Sequence, residues 1–302
     1  MSPDPDHPIE FEDIPYFSGT WCSLPWSPWV PFSATKEEFR TIPKAPGLYR
    51  LRPAGKNFLM YIGGTGRTLH QRLNNLRMEL RNPDLMPWSD LHAEAPGLWS
   101  WADDQGYEYE CSAAPLDVSA AGRKGMECFL LYRYRQERGR SPLCNFGRFH
   151  PRYRKSTERK DDRRGGKLGE DQKNNPAGGP GLAPLEPVGS PGEPGWMGLV
   201  WTEREPLDAD HVRNVPDGAG LYLLADAALH EIVYIGQSED LAGRLRDHSG
   251  TARDDRPLEF SCRSIGQPAL PHILREVEND LIGNFFEQFR KAPEFQFRNQ
   301  PL

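Results

Sequence analysis

No apolar run in this sequence approaches the ~20 residues needed to span a bilayer, so no membrane-crossing helix is expected. The first ten residues are acidic and proline-rich, without the basic start and apolar middle of a secretory leader. Cysteine is scarce and never closely paired: Cys22, Cys111, Cys128, Cys144 and Cys262 stand singly, with no Cys-x-x-Cys. This argues against a zinc ribbon or a disulfide framework and for a reducing, cytoplasmic setting, the thiols serving as small buried side chains. An excess of positive charge is also missing. Lys and Arg number 37 against 43 Asp and Glu, a formal net charge of −6. Such a balance argues against whole-surface DNA binding but leaves room for a local basic groove. The glycine-rich turn Gly63-Gly64-Thr65-Gly66 lacks the Gly-Lys-Ser/Thr ending of a nucleotide loop. His92-Ala93-Glu94 is not followed by the Pro-Cys-x-x-Cys of a zinc deaminase. No helix-turn-helix or zinc finger is visible that would read a base sequence.

What is present is a repeat. Gly47-Leu48-Tyr49 and Met60-Tyr61-Ile62-Gly63 return as Gly220-Leu221-Tyr222 and Val233-Tyr234-Ile235-Gly236. One constant offset relates the copies, and it also carries Arg40 to Arg213, Pro43 to Pro216 and Leu51 to Leu224. Each copy reads as a β-hairpin. Tyr49 and Leu51 alternate with Arg50 and Arg52, Ala54 to Asn57 supply a turn, and Phe58 to Ile62 form the return strand. The two tyrosines of a copy then lie on neighbouring antiparallel strands, close enough to share a cavity.

The 302 residues suffice for two domains, and 29 glycines with 29 prolines suggest loops and a linker between them. Residues 1–39 hold Trp21, Trp26 and Trp29 among prolines. They read as an extended arm packed on the first domain or, alternatively, as a stacking platform for bases. Residues 40–149 form the first domain. Leu69, Leu73, Leu76 and Leu80 mark an amphipathic helix after Thr68, a plausible N-cap, with Arg67, Arg72, Arg77 and Arg81 on or near it. Residues 82–106 read as an irregular insertion, 107–111 as a third strand and 124–138 as a helix bearing Glu127. Residues 150–195, first basic and then rich in Gly and Pro, show no apolar period. They are expected to be a flexible linker spanning roughly 35–40 Å, its basic half either a solvated tether or a phosphate contact. Residues 196–302 form the second domain, with helices at 240–248 and 271–289 and a third strand at 258–262. The expected class is therefore α+β: two domains, each a three-stranded antiparallel sheet flanked by helices.

Phosphodiester hydrolysis needs a base for water, a cation for the nonbridging oxygens, a stabiliser of the leaving oxygen and a metal ligand. Each repeat offers candidates. The first has Tyr49, Tyr61, Arg72, Glu127 and Asn145; the second has Tyr222, Tyr234, Arg244, His248, Glu278 and Asn299. On these residues the chain resembles the GIY-YIG nuclease family, with Leu for Ile in the first triplet of both copies, over roughly 40–147 and 213–302. The resemblance implies that Glu127 and Glu278 each hold one divalent metal, magnesium or manganese. It also implies that Arg72 and Arg244 contact the scissile phosphate and that a tyrosine, helped by a histidine or lysine, deprotonates water. Glu278 rather than Glu276 is selected by the Leu-Ile that follows at 281–282. Such a tyrosine would need its pKa lowered from about 10 by the arginine and metal. The family often places a histidine four residues after the arginine; the second repeat has His248 and the first has Leu76.

The implied function is a metal-dependent DNA endonuclease with two pseudo-symmetric sites on one monomeric chain, suited to double-strand cleavage in restriction or defence. Two alternatives stand beside it. One is a structure-specific DNA repair nuclease; the other is a DNA-binding module with one or both sites inactive.

Overall fold

The computed structural model describes residues 14–82, 84–88, 94–157, 163–250, 256–265 and 270–297. It is a mixed α+β structure of two contact units. Met1–Val118 with Glu137–Gly178 form the first, and Ser119–Gln136 with Gly179–Leu302 the second.

In the first unit the short strand β1 (Val30–Pro31) and helix α1 (Lys36–Phe39) precede the hairpin β2 (Gly47–Pro53) and β3 (Tyr61–Thr65). Helices α2 (Leu69–Leu80) and α3 (Ala95–Gln105) follow, then β4 (Tyr109–Pro115). The antiparallel sheet runs β1-β4-β2-β3. Thr68 caps α2 by accepting from the Gln71 amide, and Leu69, Leu73 and Leu76 bury their side chains against Tyr49, Leu51 and Cys111. Each such leucine contributes about 1.5–3 kcal/mol by leaving water.

Most of helix α4 (Ala120–Arg138) falls in the second unit, which takes Ser119–Gln136. A two-strand ribbon of β5 (Tyr153–Arg154) and β6 (Gly166–Lys167) belongs to the first. The second unit continues with β7 (Glu205–Pro206), α5 (Ala209–Val212), β8 (Gly220–Asp226) and β9 (Ile232–Ser238). It ends in α6 (Leu241–Ser249), β10 (Leu258–Ser264) and α7 (Pro271–Phe289). Its sheet order, β7-β10-β8-β9, repeats that of the first unit.

Three expectations change. Each sheet has four strands, because β1 and β7 add a short edge strand to β4 and β10. The segment read as an irregular insertion contains α3, started by Pro96 and stopped by Gly106 in the left-handed conformation. The tryptophan arm is packed on the first unit, the first of its two readings. Trp21, Trp26 and Trp29 surround the fully buried Arg50 guanidinium, which donates to the carbonyls of Tyr16, Phe17 and Ser18. This arm also recurs. Trp26 Nε1 donates to the Trp21 carbonyl and Trp201 Nε1 to the Trp196 carbonyl, across 3-10 turns whose middle residues, Cys22 and Met197, both have positive φ.

The third change concerns 150–195. Its described residues are fastened rather than free. Arg152 binds the carbonyls of Leu168, Gly169 and Gln172, and Tyr153 donates to Asp103 in the first unit. In the second unit the Leu182 and Leu185 amides donate to Glu276 and Asp280, and His272 Nε2 meets the Pro180 carbonyl. Polar side chains buried on α7 supply the order that the segment's own composition cannot.

Arg135 of α4, wholly buried, donates to both carboxylate oxygens of Asp280 at 2.7 and 3.0 Å, with Glu276 3.6 Å away. Helices α4 and α7 meet closely here because Gly283 has no side chain; a Cβ there would overlap Tyr132. No helix among the described residues is long and apolar enough to cross a membrane.

Asp280→Ala leaves Arg135 charged, buried and half-paired. Urea unfolding of that variant is expected to show a loss of about 3–5 kcal/mol, partly recovered by adding Arg135→Met.

Candidate active site

The hairpin geometry sets the site in both units. In the second unit Tyr222 on β8 faces Gly236 on β9, while Tyr234 faces Leu224, one diagonal step away on the same side of the sheet. The two rings lie 5.9 Å apart, tilted by 30°. Glycine is required at 236 because the Tyr222 ring lies across the neighbouring strand, where a Cβ would collide with its tip. The final glycine of the motif is thus a seat for the first tyrosine.

Helix α6 brings the next groups. Asp240 caps it by accepting from the Gly243 amide, and one turn separates Arg244 from His248. His248 is buried, its Nε2 is 2.8 Å from the Tyr222 hydroxyl, and its ring lies 5.2 and 5.7 Å from those of Tyr222 and Tyr234. Glu278 enters from α7. Burial pushes its carboxyl up to about 7, against the opposing pull of Arg275, the Gln237 amide and Arg244. Arg244 also draws down the Tyr222 hydroxyl, which Glu278 raises, so these groups share one electrostatic environment. Tyr222, Tyr234 and His248 are therefore in direct contact, with Arg244 and Glu278 within electrostatic reach of them. Asn299 lies outside the described residues. A terminal amide nevertheless braces the hairpin: Gln296 accepts from the Ile235 amide at 2.9 Å and donates to its carbonyl at 2.8 Å.

The expected depression of the tyrosine pKa does not appear in the protein alone. Burial raises Tyr222, with Tyr234 and Glu278 reinforcing it, and Arg244 offsets only part. Tyr222 holds its proton at neutral pH and can pass it to the His248 ring when its oxygen takes one from water.

In the first unit Tyr49 faces Gly63 and Tyr61 faces Leu51, with rings 5.9 Å apart. Asn145 braces Ile62 from the strand edge, accepting from its amide at 3.0 Å and donating to its carbonyl at 2.8 Å. It positions Tyr61 through the backbone. Arg72 Nε donates to the Tyr49 hydroxyl at 3.2 Å. Leu76, at the place of His248, is buried in the core.

The decisive group here is one that sequence reasoning passed over. Glu94, buried at the start of α3, accepts from the Tyr49 hydroxyl at 2.8 Å and from Arg72 Nη2 at 2.7 Å. Burial, Tyr61 and Glu94 together raise the Tyr49 hydroxyl well above its usual range despite Arg72. The signal that would have exposed Glu94 is an acid two residues before a proline, the mark of a helix start rather than of zinc chemistry. Glu127, by contrast, lies on α4 in the second unit, where desolvation, then Glu127 and Glu278, raise the half-buried Cys128 thiol. Beside Arg72 opens a cleft of about 470 Å³, lined by Gly64, Thr65, Gly66, Arg67, Gln71 and Asn75 among others.

Among the described residues no group of three or more His, Cys, Asp or Glu side chains is arranged to hold a metal. The fit differs between the units. Glu278 is a lone carboxylate kept partly protonated by burial, the kind of donor that a hard divalent cation with retained waters would ionise. Glu94 is already neutralised by Arg72 and offers no comparable donor. The chain matches no known protein family, no curated protein and no solved structure.

Glu278 folds with a raised pKa, so it favours the folded state below about pH 4.5, and that contribution is lost as pH rises toward 7. Glu278→Gln is expected to flatten the stability profile across this window and to be the more stable protein at pH 8, by up to about 3 kcal/mol. Denaturant titrations from pH 4 to pH 8 measure it.

Proposed function

We propose that the chain is a metal-dependent DNA endonuclease whose second unit cuts. The observation that carries this reading is the contact of Tyr222, Tyr234 and His248 on one face of a hairpin, with Arg244 and Glu278 within electrostatic reach. These groups match the chemistry that phosphodiester hydrolysis demands. His248 takes a proton through the Tyr222 hydroxyl, and Arg244 offsets the charge that grows on the nonbridging oxygens. Glu278 would hold a magnesium or manganese ion, which when bound would supply charge stabilisation at the leaving oxygen. DNA as substrate follows from the resemblance to GIY-YIG nucleases.

A second reading concerns the first unit. Arg72 is spent on Glu94, and the position of the histidine is apolar. This favours a first unit that holds DNA without cutting, so that the protein nicks one strand rather than severing both.

Supercoiled plasmid with magnesium distinguishes the outcomes. The parent is expected to yield nicked circles. Glu278→Ala should abolish cleavage, Arg244→Ala and His248→Ala should slow it by about 10²-fold or more, and Glu127→Ala should leave the nicking rate unchanged. Linear product from the parent that gives way to nicked circles in Glu278→Ala would establish a second cutting site instead. No cleavage of plasmid, branched DNA or RNA by the parent would refute the nuclease assignment.

A further inference from the structure

We infer that the first unit carries a separate nucleic-acid anchor, a basic cleft between α1 and the flank of α2 turned away from Arg72. The cleft, about 270 Å³, is lined by Lys36, Phe39, Arg40, Lys44, His70, Asn74 and Arg77, without a carboxylate.

The backbone builds it. Lys36 and Arg40 lie one turn apart at α1, held by a capping box between Thr35 and Glu38. The amides of Leu69 and His70 donate to the carbonyls of Ala45 and Pro43, which docks the Lys44 turn onto the first turn of α2. Arg77 forms a fixed floor, stacked over Phe39 and donating to the Ala34 carbonyl and the Asn74 side chain. Lys36, Arg40 and Lys44 are exposed above it. The nearby acid Glu37 sits 3.8 Å from Arg40, both largely exposed, a contact worth little. The cations are close enough to act on one another. Burial, then Lys44, Arg77 and Arg40, hold the His70 imidazole below its ordinary pKa.

Three observations favour a nucleic-acid backbone as the occupant. The cations are spread along exposed side chains rather than gathered in a buried cradle, which suits successive phosphates better than one small anion. The exposed ridge beside the cleft, Gln71, Asn75 and Met78, carries amides and only one apolar side chain, too little to enter a lipid surface. The second unit, built on the same scaffold, lacks the feature: its corresponding positions are Ala209, Arg213, Asp217 and Ala242, and Arg213 is paired with Asp210. The charge is therefore particular to one half of a repeat, in a chain that is acidic as a whole.

The choice of nucleic acid over other polyanions rests on the nuclease reading, and the test keeps the two apart. Full-length Glu278→Gln protein in EDTA is titrated with a 30-base-pair duplex, with phosphatidylserine vesicles and with inorganic phosphate. The duplex is expected to bind, and Lys36→Gln/Arg40→Gln/Lys44→Gln should weaken it by about tenfold or more. The triple substitution should also lower the slope of log affinity against log salt by about two to three. In the unsubstituted cleft, duplex but not vesicles should move the His70 NMR titration upward, a readout independent of how well the triple variant folds. An unchanged slope, an unmoved His70, or binding to vesicles or phosphate in preference to duplex would overturn the anchor. Duplex binding without magnesium-dependent cleavage by the parent would instead overturn the nuclease reading and leave the anchor in place.

Discussion

The rest of the site depends on one steric constraint: a tyrosine ring laid across the neighbouring strand onto a glycine. In an antiparallel pair, directly opposed side chains compete for the same space. Removing the side chain at Gly236 lets Tyr222 lie over the gap, and at Gly63 it makes room for the Tyr61 ring and then for Tyr49; in each copy the two rings meet at 5.9 Å. The hydroxyl then emerges at the sheet edge faced by the following helix. Whatever that helix or its surroundings present becomes the partner of the hydroxyl, an imidazole in one unit and a carboxylate with a guanidinium in the other.

This explains how one scaffold holds two different chemistries. Replacing a buried histidine by Leu76 removes the proton acceptor, but it also vacates the polar role at the tyrosine oxygen. Glu94 fills that role from a segment that has no equivalent in the second copy, and in doing so it occupies Arg72. The pairing satisfies every buried polar atom involved, which makes it a stable end point for the first copy. In the second copy the acid that approaches, Glu278, sits on α7 and is not tied to a guanidinium in the same way. Its proton is loosely held near neutrality, and it is available to a cation.

Much of this was legible in the sequence because it rests on local periods. The hairpins, the α2 leucine stripe with its Thr68 cap and the bounds of α7 follow from alternation, spacing and a proline start. What escaped depended on distance in the chain. The matching Trp pairs were hidden because the offset between copies changes between Pro31 and Lys36, whose counterparts are Pro206 and Ala209. The Gln296 brace escaped notice because this side chain, one methylene longer than Asn145, reaches its target from a different place in the chain. The segment 150–195 looked unstructured because its order comes from partners distant in the chain, Asp103 for Tyr153 and acids on α7 for Leu182 and Leu185, that composition alone cannot associate with it.

The place of α4 also bears on how the protein is made. Tyr132 and Arg135 emerge from the ribosome well before Gly283 and Asp280, the residues that cover them. Through that interval the nascent chain carries an uncovered apolar helix face with a lone guanidinium in it, the kind of surface that recruits holding chaperones. The surface is closed only once the chain has been made as far as α7, which places the completion of the second unit late in synthesis.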